Sequence, residues 1–226
     1  MMLFYRVNTI MTLTLEEAVK QNKKIRILAY SVSDYIETRM KEVLGLIFNH
    51  YNKPEMMPPV YTCLKELVIN AVKANFKNIY FEGYSSKNSS ESTIEYEMAL
   101  KLFKLELSRE NAASLERLAR DSDMRAEVII QCVPECLTIT VMNPVEMTDR
   151  EKANVQKKLQ SASKYNDITE YFAENDDEVS TEVDEGAGLG LILISMMLRS
   201  MGGGESDFTI TSEHDKTTAV LKIPIE

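Results

Sequence analysis

Two periods of apolar residues alternate along this chain, and each period predicts a different kind of element. Residues that recur at spacings of three and four predict helices, because such residues share one helical face. These helices span residues 34–50, 60–76 and 188–201. Alternating or β-branched runs predict strands at residues 24–30, 126–132, 137–142, 208–212 and 218–223. The second and third of these strands are close enough in sequence to form a hairpin.

Polar signals mark further helices and one long loop. Ser92 followed by Glu95 is a capping-box signal, and it predicts a helical region that continues to about residue 120. Thr148 to Glu151 opens another helix, which continues to about residue 164. Glycine and serine dominate residues 83–92 and predict a loop there.

These elements divide the chain into two parts. Residues 1–56 form an N-terminal strand and helix extension, and residues 57–226 form a domain with a helical insertion at about 83–120. The apolar face of the helix at 34–50 needs a cover. That cover is the rest of the chain or, in the alternative, a second copy, which makes a homodimer through this helix possible.

Charge and apolar content narrow the class of protein. The chain has 226 residues and a net charge of −9, from 26 basic and 35 acidic residues, which disfavours a broad nucleic-acid-binding face. No apolar run is long enough to cross a bilayer, and the N-terminus lacks the pattern of a signal peptide. Three cysteines, an odd number, indicate reduced thiols. We therefore expect a cytoplasmic protein without membrane insertion or a nucleic-acid partner.

The helix at 60–76 carries three polar residues of chemical interest. Glu66, Asn70 and Lys73 are spaced at i, i+4 and i+7, so they project from one face. Asparagine is a poor residue in the middle of a helix, and a Mg²⁺ ion that takes its amide oxygen would explain it. Glu66 could then orient or deprotonate a water molecule, and Lys73 could meet a phosphate. A solvated stripe of an amphipathic helix is the alternative.

A glycine run precedes the last long helix. Gly186, Gly188 and Gly190 let backbone N–H groups approach phosphate oxygens, and the following helix adds its positive end. The run follows an acidic segment rather than a strand, which disfavours a dinucleotide-binding Rossmann motif. A glycine-rich helix start that binds nothing is the alternative.

Taken in order, these motifs resemble those of the GHKL superfamily, which includes gyrase, a heat-shock ATPase chaperone, histidine kinases and a mismatch-repair ATPase. The resemblance covers residues 58–226 and is nearest to histidine-kinase ATP-binding domains. It implies the Bergerat fold, an α/β (α+β) two-layer sandwich in which a mixed sheet carries helices on one face and ATP binds between them. It implies ATP and Mg²⁺ as cofactors, with Asn70 as the metal ligand, and Glu66 is then the candidate catalytic base from its place one turn earlier on the same helix. The further ATP-binding residues that it implies are Lys73, Asn143, Gly186, Gly188, Leu189, Gly190 and Thr217.

The sequence departs from the family pattern in two places. Asn143 stands where the family has the aspartate that accepts the adenine amino group, and Pro144 and Val145 follow it in place of a glycine. An amide oxygen still accepts a hydrogen bond, without the strength that charge adds. The phosphoacceptor helix pair of a histidine kinase is also missing: His50 is the upstream histidine, and no acidic residue follows it.

Three functions stay open. The first is a stand-alone regulator in a signalling pathway that binds ATP and Mg²⁺, has a protein partner and uses residues 175–185 as a lid. The second is an anti-sigma-type serine protein kinase with Glu66 as its base. The third is a non-enzymatic interaction module that has lost ATP binding.

Overall fold

The computed structural model describes residues 13–85, 103, 112–165, 170–171 and 189–225. Several predicted features lie outside these residues. They are Gly186 and Gly188, the capping box of Ser92 and Glu95, and the acidic segment at 175–185.

Five strands form one sheet in the order β1-β2-β3-β5-β4. The strands are β1 (Ile25–Ala29), β2 (Ala126–Val133), β3 (Cys136–Asn143), β4 (Phe208–Glu213) and β5 (Lys216–Pro224). Every described pair is antiparallel, so the mixed sheet expected from the family resemblance is wrong for the described strands. The physical reason is that β2–β3 and β4–β5 are direct hairpins, and a tight hairpin joins only antiparallel strands.

Helices pack on this sheet. They are α1 (Leu15–Lys20), α2 (Asp34–His50), α3 (Met57–Ser85), α4 (Ala112–Asp121), α5 (Asp149–Ala162) and α6 (Leu189–Ser200). Two 3₁₀ turns lie at Pro54–Met56 and Glu205–Asp207. In β2 and β3 the residues on the inner face are buried and their neighbours are only partly buried, so the core lies on one face of the sheet. The described chain is therefore an α+β protein with a helical layer on an antiparallel sheet.

Caps explain where two of the helices begin. Thr148 and Glu151 form the predicted capping box of α5, with both reciprocal hydrogen bonds present. Thr14 and Glu17 form a second capping box, which starts α1. This six-residue helix is absent from the sequence prediction because its apolar pattern is too short to show a period.

Helix α3 is longer at both ends than the predicted 60–76. Pro58 and Pro59 lie in its first turn, where the missing N–H of proline has no intrahelical partner to lose. At the other end the helix continues to Ser85, so the loop predicted to begin at residue 83 is wrong in its first three residues. The ring of Tyr80 packs 5.5 Å from that of buried Phe103, and this tertiary contact supports the extension.

One hydrophobic core crosses the boundary that the sequence suggested at residue 56. Strand β1, from the predicted N-terminal extension, pairs with β2 of the predicted ATP-binding domain. The apolar face of α2 is buried in this same core, including Met40, Leu44 and Phe48. This face is therefore covered within the chain, and a homodimer through the 34–50 helix loses the apolar surface on which it depended.

Candidate functional site

The predicted polar face of α3 lies within one unbroken helix. Glu66 and Asn70 are partly buried, while Lys73 is exposed. Residues four apart on an α-helix lie one above the other on the same face. The arrangement therefore provides a carboxylate, an amide and, one turn further on, an ammonium group along one side of the helix.

The start of α6 packs directly against this face of α3. A β-carbon placed on Gly190 would lie 2.6 Å from Oε2 of Glu66, closer than real contacts allow. Three residues before Glu66 in α3 and seven residues after Gly190 in α6, Sγ of Cys63 lies 3.9 Å from Sδ of Met197. Leu189, the first residue of α6, is partly buried against a small cluster that contains Tyr171. The structure thus brings the end of the glycine run to the first residue of the α3 motif.

A second pair of predicted residues meets at one end of the sheet. Asn143 ends β3 and is directly opposite Thr217 of β5 in the strand register. Asn143 is only 5% exposed, and its Nδ2 has no hydrogen-bond partner among the described residues. A buried amide N–H without a partner costs about 1–3 kcal/mol, so this group has an unfilled requirement for an acceptor.

A chain of hydrogen bonds holds the segment that follows Asn143. The Met147 N–H donates to Oγ of Ser212 (2.7 Å), and the Thr217 hydroxyl donates to the carbonyl of Val145 (2.7 Å). The two hydroxyl oxygens are 3.0 Å apart. Because the hydrogen of Thr217 goes to Val145, Ser212 must donate to Thr217. The Thr217 hydroxyl therefore holds this segment in place. Because its hydrogen is already donated to Val145, it could only accept a hydrogen bond from a bound base.

Lys77 and Glu151 join α3 to the start of α5, a contact that the sequence did not predict. The Lys77 ammonium lies 2.6 Å from Oε1 of Glu151. Burial opposes ionisation of Glu151, but the hydrogen bonds from Lys77 and from the Thr148 backbone outweigh it and lower the pKa of the carboxyl. The signal for Glu151 was present in its capping box, whereas nothing local distinguishes Lys77 from neighbouring lysines.

Asn75 is a further polar residue that the sequence reasoning missed. It is 1% exposed, and neither polar atom of its side chain has a hydrogen-bond partner among the described residues. It lies in the apolar stripe of α3, four residues after Ala71, and so does not share the face of Asn70. An asparagine within an apolar stripe was the available signal.

Both histidines are exposed. His50 is exposed at the last residue of α2, with its ring edge against Tyr51. His214 is exposed in the turn between β4 and β5, where His214 and Asp215 both have positive φ.

A cavity of about 220 Å³ lies away from the predicted site, between α5, α6 and the start of β4. Leu159, Leu198 and Phe208 form part of its apolar lining. Arg199 also lines it, but the guanidinium donates to the carbonyl of Ala162 at 2.7 Å and so caps the end of α5. This cavity is therefore not the place where the predicted phosphate-binding residues meet.

Comparison with known proteins gives one informative similarity. No protein-family model matches the sequence, and no solved structure matches the chain. An uncharacterized protein of Treponema pallidum (strain Nichols) is 28% identical over 210 residues, which are 93% of this chain and 39% of that protein. The chain thus spans well under half of this relative, and the similarity assigns no activity.

No described helix has both the length and the apolar character needed to span a membrane. Within the described ranges, no three His, Cys, Asp or Glu side chains gather as a metal site, and Cys132 and Cys136 are free thiols.

Proposed function

We propose that this chain is a regulatory domain of the Bergerat type that binds ATP with Mg²⁺ between α3 and the start of α6. The observation that carries the proposal is the contact between Gly190 and Glu66, since it joins two motifs that lie more than a hundred residues apart. A glycine run and a polar stripe without a shared function have no reason to lie together in the fold. Two motifs that act on the same phosphate group must lie close to each other.

The residues present fit the proposed ligands. A β-carbon at Gly190 would lie 2.6 Å from Oε2 of Glu66, so glycine is the residue that lets the backbone of this turn come close to the α3 motif, as a phosphate-binding turn needs. Helix α6 has twelve residues, so its first turn offers unpaired N–H groups and a positive dipole end to an anion. The exposed ammonium of Lys73 adds a positive charge along the same side of α3.

Asn70 would hold the metal ion and Glu66 would act on water. Mg²⁺ prefers oxygen ligands, and the amide oxygen of Asn70 supplies one while phosphates and waters supply the others. When bound, the ion neutralises phosphate charge. Glu66, one turn earlier, orients a water or accepts a proton from it in a hydrolytic reaction. In the serine-kinase alternative the same carboxylate accepts the proton of a partner's serine.

The base would lie at the end of β3. Asn143 is buried there with an unpartnered Nδ2, and the hydrogen bonds of Thr217 fix the backbone that follows. A fixed backbone reduces the ordering cost of binding. If no ligand reaches the buried Asn143 side chain, the non-enzymatic alternative stands instead. The two functions must therefore be separated by experiment.

Calorimetric titration separates them. ATP, ADP and a non-hydrolysable ATP analogue are titrated into the purified chain with and without Mg²⁺. We expect Mg²⁺-dependent binding that Asn70→Ala weakens about 100-fold or more. The control is Asn49→Ala, which removes the same side chain from an exposed position on α2 and should leave the affinity unchanged.

The outcomes point to different functions. If no nucleotide binds in any condition, the ATP-binding proposal is wrong and the interaction module stands. Equal affinities for wild type and Asn70→Ala would remove Asn70 from the site. If ATP binds, Glu66→Gln should lower its turnover, or label transfer to a partner serine, without changing its affinity.

A further inference from the structure

The buried amide of Asn143 has chemistry that the carboxylate expected at this position lacks. A carboxylate only accepts hydrogen bonds, whereas the asparagine amide has an accepting oxygen next to a donating nitrogen. In this chain the nitrogen is the atom that is sealed from solvent and unpartnered among the described residues. Whatever binds at this end of β3 therefore satisfies Asn143 fully only if it supplies an acceptor as well as a donor.

Purine bases supply such a pair at positions 1 and 6, in either of two orders. Adenine donates from its 6-amino group and accepts at N1. Hypoxanthine, a 6-oxopurine, accepts at O6 and donates from N1–H. An amide can pair with a neighbouring donor and acceptor on one edge of a base at once, as asparagine does with N6 and N7 of adenine in nucleic-acid recognition. When the amide turns over by half a rotation, its donor and acceptor exchange places and match the other kind of base.

The structure leaves this rotation available while it fixes the position of the amide. The register of β3 with β5 places Asn143 opposite Thr217, and the Thr217 bond to Val145 holds the backbone that follows. The terminal torsion of asparagine is broad and roughly two-fold, so both orientations are accessible. Nδ2 of Asn143 donates to no other described residue, so no such hydrogen bond selects one orientation.

We propose that Asn143 lets the site bind 6-aminopurine and 6-oxopurine nucleoside triphosphates with similar affinity. The inference rests on the proposed function, because it requires that a nucleotide's base reaches the end of β3. It goes further in naming the class of base and the residue that decides it. An aspartate at this position would pair with adenine and repel O6 of a 6-oxopurine.

The test compares ATP with inosine triphosphate, which differs only in the edge that Asn143 is proposed to contact. Both are titrated calorimetrically with Mg²⁺ into wild-type protein and into Asn143→Asp. We expect the wild-type affinities to agree within about 3-fold. Asn143→Asp should lower the affinity for inosine triphosphate at least about 10-fold relative to the affinity for ATP. This is the discrimination expected of one well-placed base contact.

A third nucleotide keeps the test sharp if Asn143→Asp does not fold. Purine riboside triphosphate has no group at position 6, so it should bind wild-type protein about 10-fold more weakly than the other two. If wild-type protein prefers ATP over inosine triphosphate by more than about 30-fold, the inference is wrong and ATP binding survives. Equal affinity for all three overturns the base contact, and no binding at all overturns both the inference and the proposed function.

Discussion

Gly190, in the first turn of α6, leaves no room for a side chain against the carboxylate of Glu66 in α3. The conflict involves the far end of a flexible side chain, because Oε2 is the atom at 2.6 Å while Cβ of Glu66 would be 3.7 Å away. A larger residue at position 190 can therefore be accommodated if the carboxylate rotates away. This pair thus couples the shape of the glycine turn to the direction of the proposed catalytic base.

Gly190→Ala should consequently change activity more than stability. Alanine favours a helix by up to about 1 kcal/mol over glycine, which offsets the displacement of Glu66. We expect a melting temperature close to that of wild type, ATP hydrolysis lowered about 10-fold or more, and a rotated Glu66 in a crystal structure of the variant.

Gly45→Ala is the matched control for this substitution. Gly45 lies within α2, and a β-carbon there would meet no atom within 4 Å. The change should stabilise the fold by about 0.5–1 kcal/mol and leave turnover unchanged. Wild-type turnover in Gly190→Ala would contradict the role given to the Glu66 carboxylate.

Local patterns predicted the strands well because their information is local. The β2–β3 hairpin and the start of α5 were placed within about one residue, since strict alternation and a capping box each act over a few positions. The end of α3 was missed because glycine and serine disfavour a helix only weakly, and packing around Tyr80 outweighs that preference.

The candidate site was likewise predicted only where the information is local. The two sequence motifs supplied Glu66 and Gly190, which the fold brings together, but the contact of Lys77 with Glu151 depends on how α3 crosses α5. No local pattern contains that crossing. Likewise, the burial of Asn75 depends on the elements above and below its helix, so an amide in an apolar stripe could not be identified as unpartnered.

Thr217→Val tests the hydrogen-bond chain behind Asn143. Valine keeps the shape but removes the hydroxyl, so the Val145 carbonyl and the Ser212 hydroxyl each lose a partner. We expect a loss of about 1–2 kcal/mol in the free energy of unfolding, measured by urea denaturation, and faster hydrogen exchange at the Met147 amide. Thr217→Ser keeps the hydroxyl and should keep both properties nearly unchanged. Slow exchange at Met147 in the valine variant would show that the chain does not hold this segment.

Glu37 joins α2 to α3 and gives the fold a pH dependence. Its carboxylate accepts from Lys65 at 2.7 Å and from the Tyr61 hydroxyl at 2.6 Å. The hydrogen bond from Lys65, followed by that from Tyr61, lowers the pKa of Glu37. Burial, followed by the hydrogen bond to Glu37, raises the pKa of Tyr61 to about 12. A lowered pKa in the folded state stabilises the fold above the unfolded pKa, near 4.5, and this contribution is lost as the pH falls through the folded value.

Glu37→Gln should therefore destabilise the protein by about 1 kcal/mol at pH 7, with a difference from wild type that shrinks below pH 4.5. Melting temperatures measured from pH 3 to pH 7 check the expectation. Glu42→Gln is the control, because Glu42 pairs with Arg39 of the same helix at the surface and should have little effect. A difference that stays constant down to pH 3 would mean that the Glu37 charge does not carry the stabilisation.

The three cysteines should differ sharply in reactivity because only a thiolate that reagent can reach is modified. Cys63 and Cys132 are buried, and burial raises the pKa of each thiol to about 12. At pH 8 about one in 10⁴ of such thiols is ionised. Cys136, which begins β3, is only partly buried.

Mass spectrometry after brief iodoacetamide treatment should show one modified cysteine in the native chain and three after denaturation, and Cys136→Ser should abolish the native modification. Rapid native modification of Cys132 would show that the β2–β3 hairpin opens, since the thiol can ionise and meet reagent only when it leaves the core.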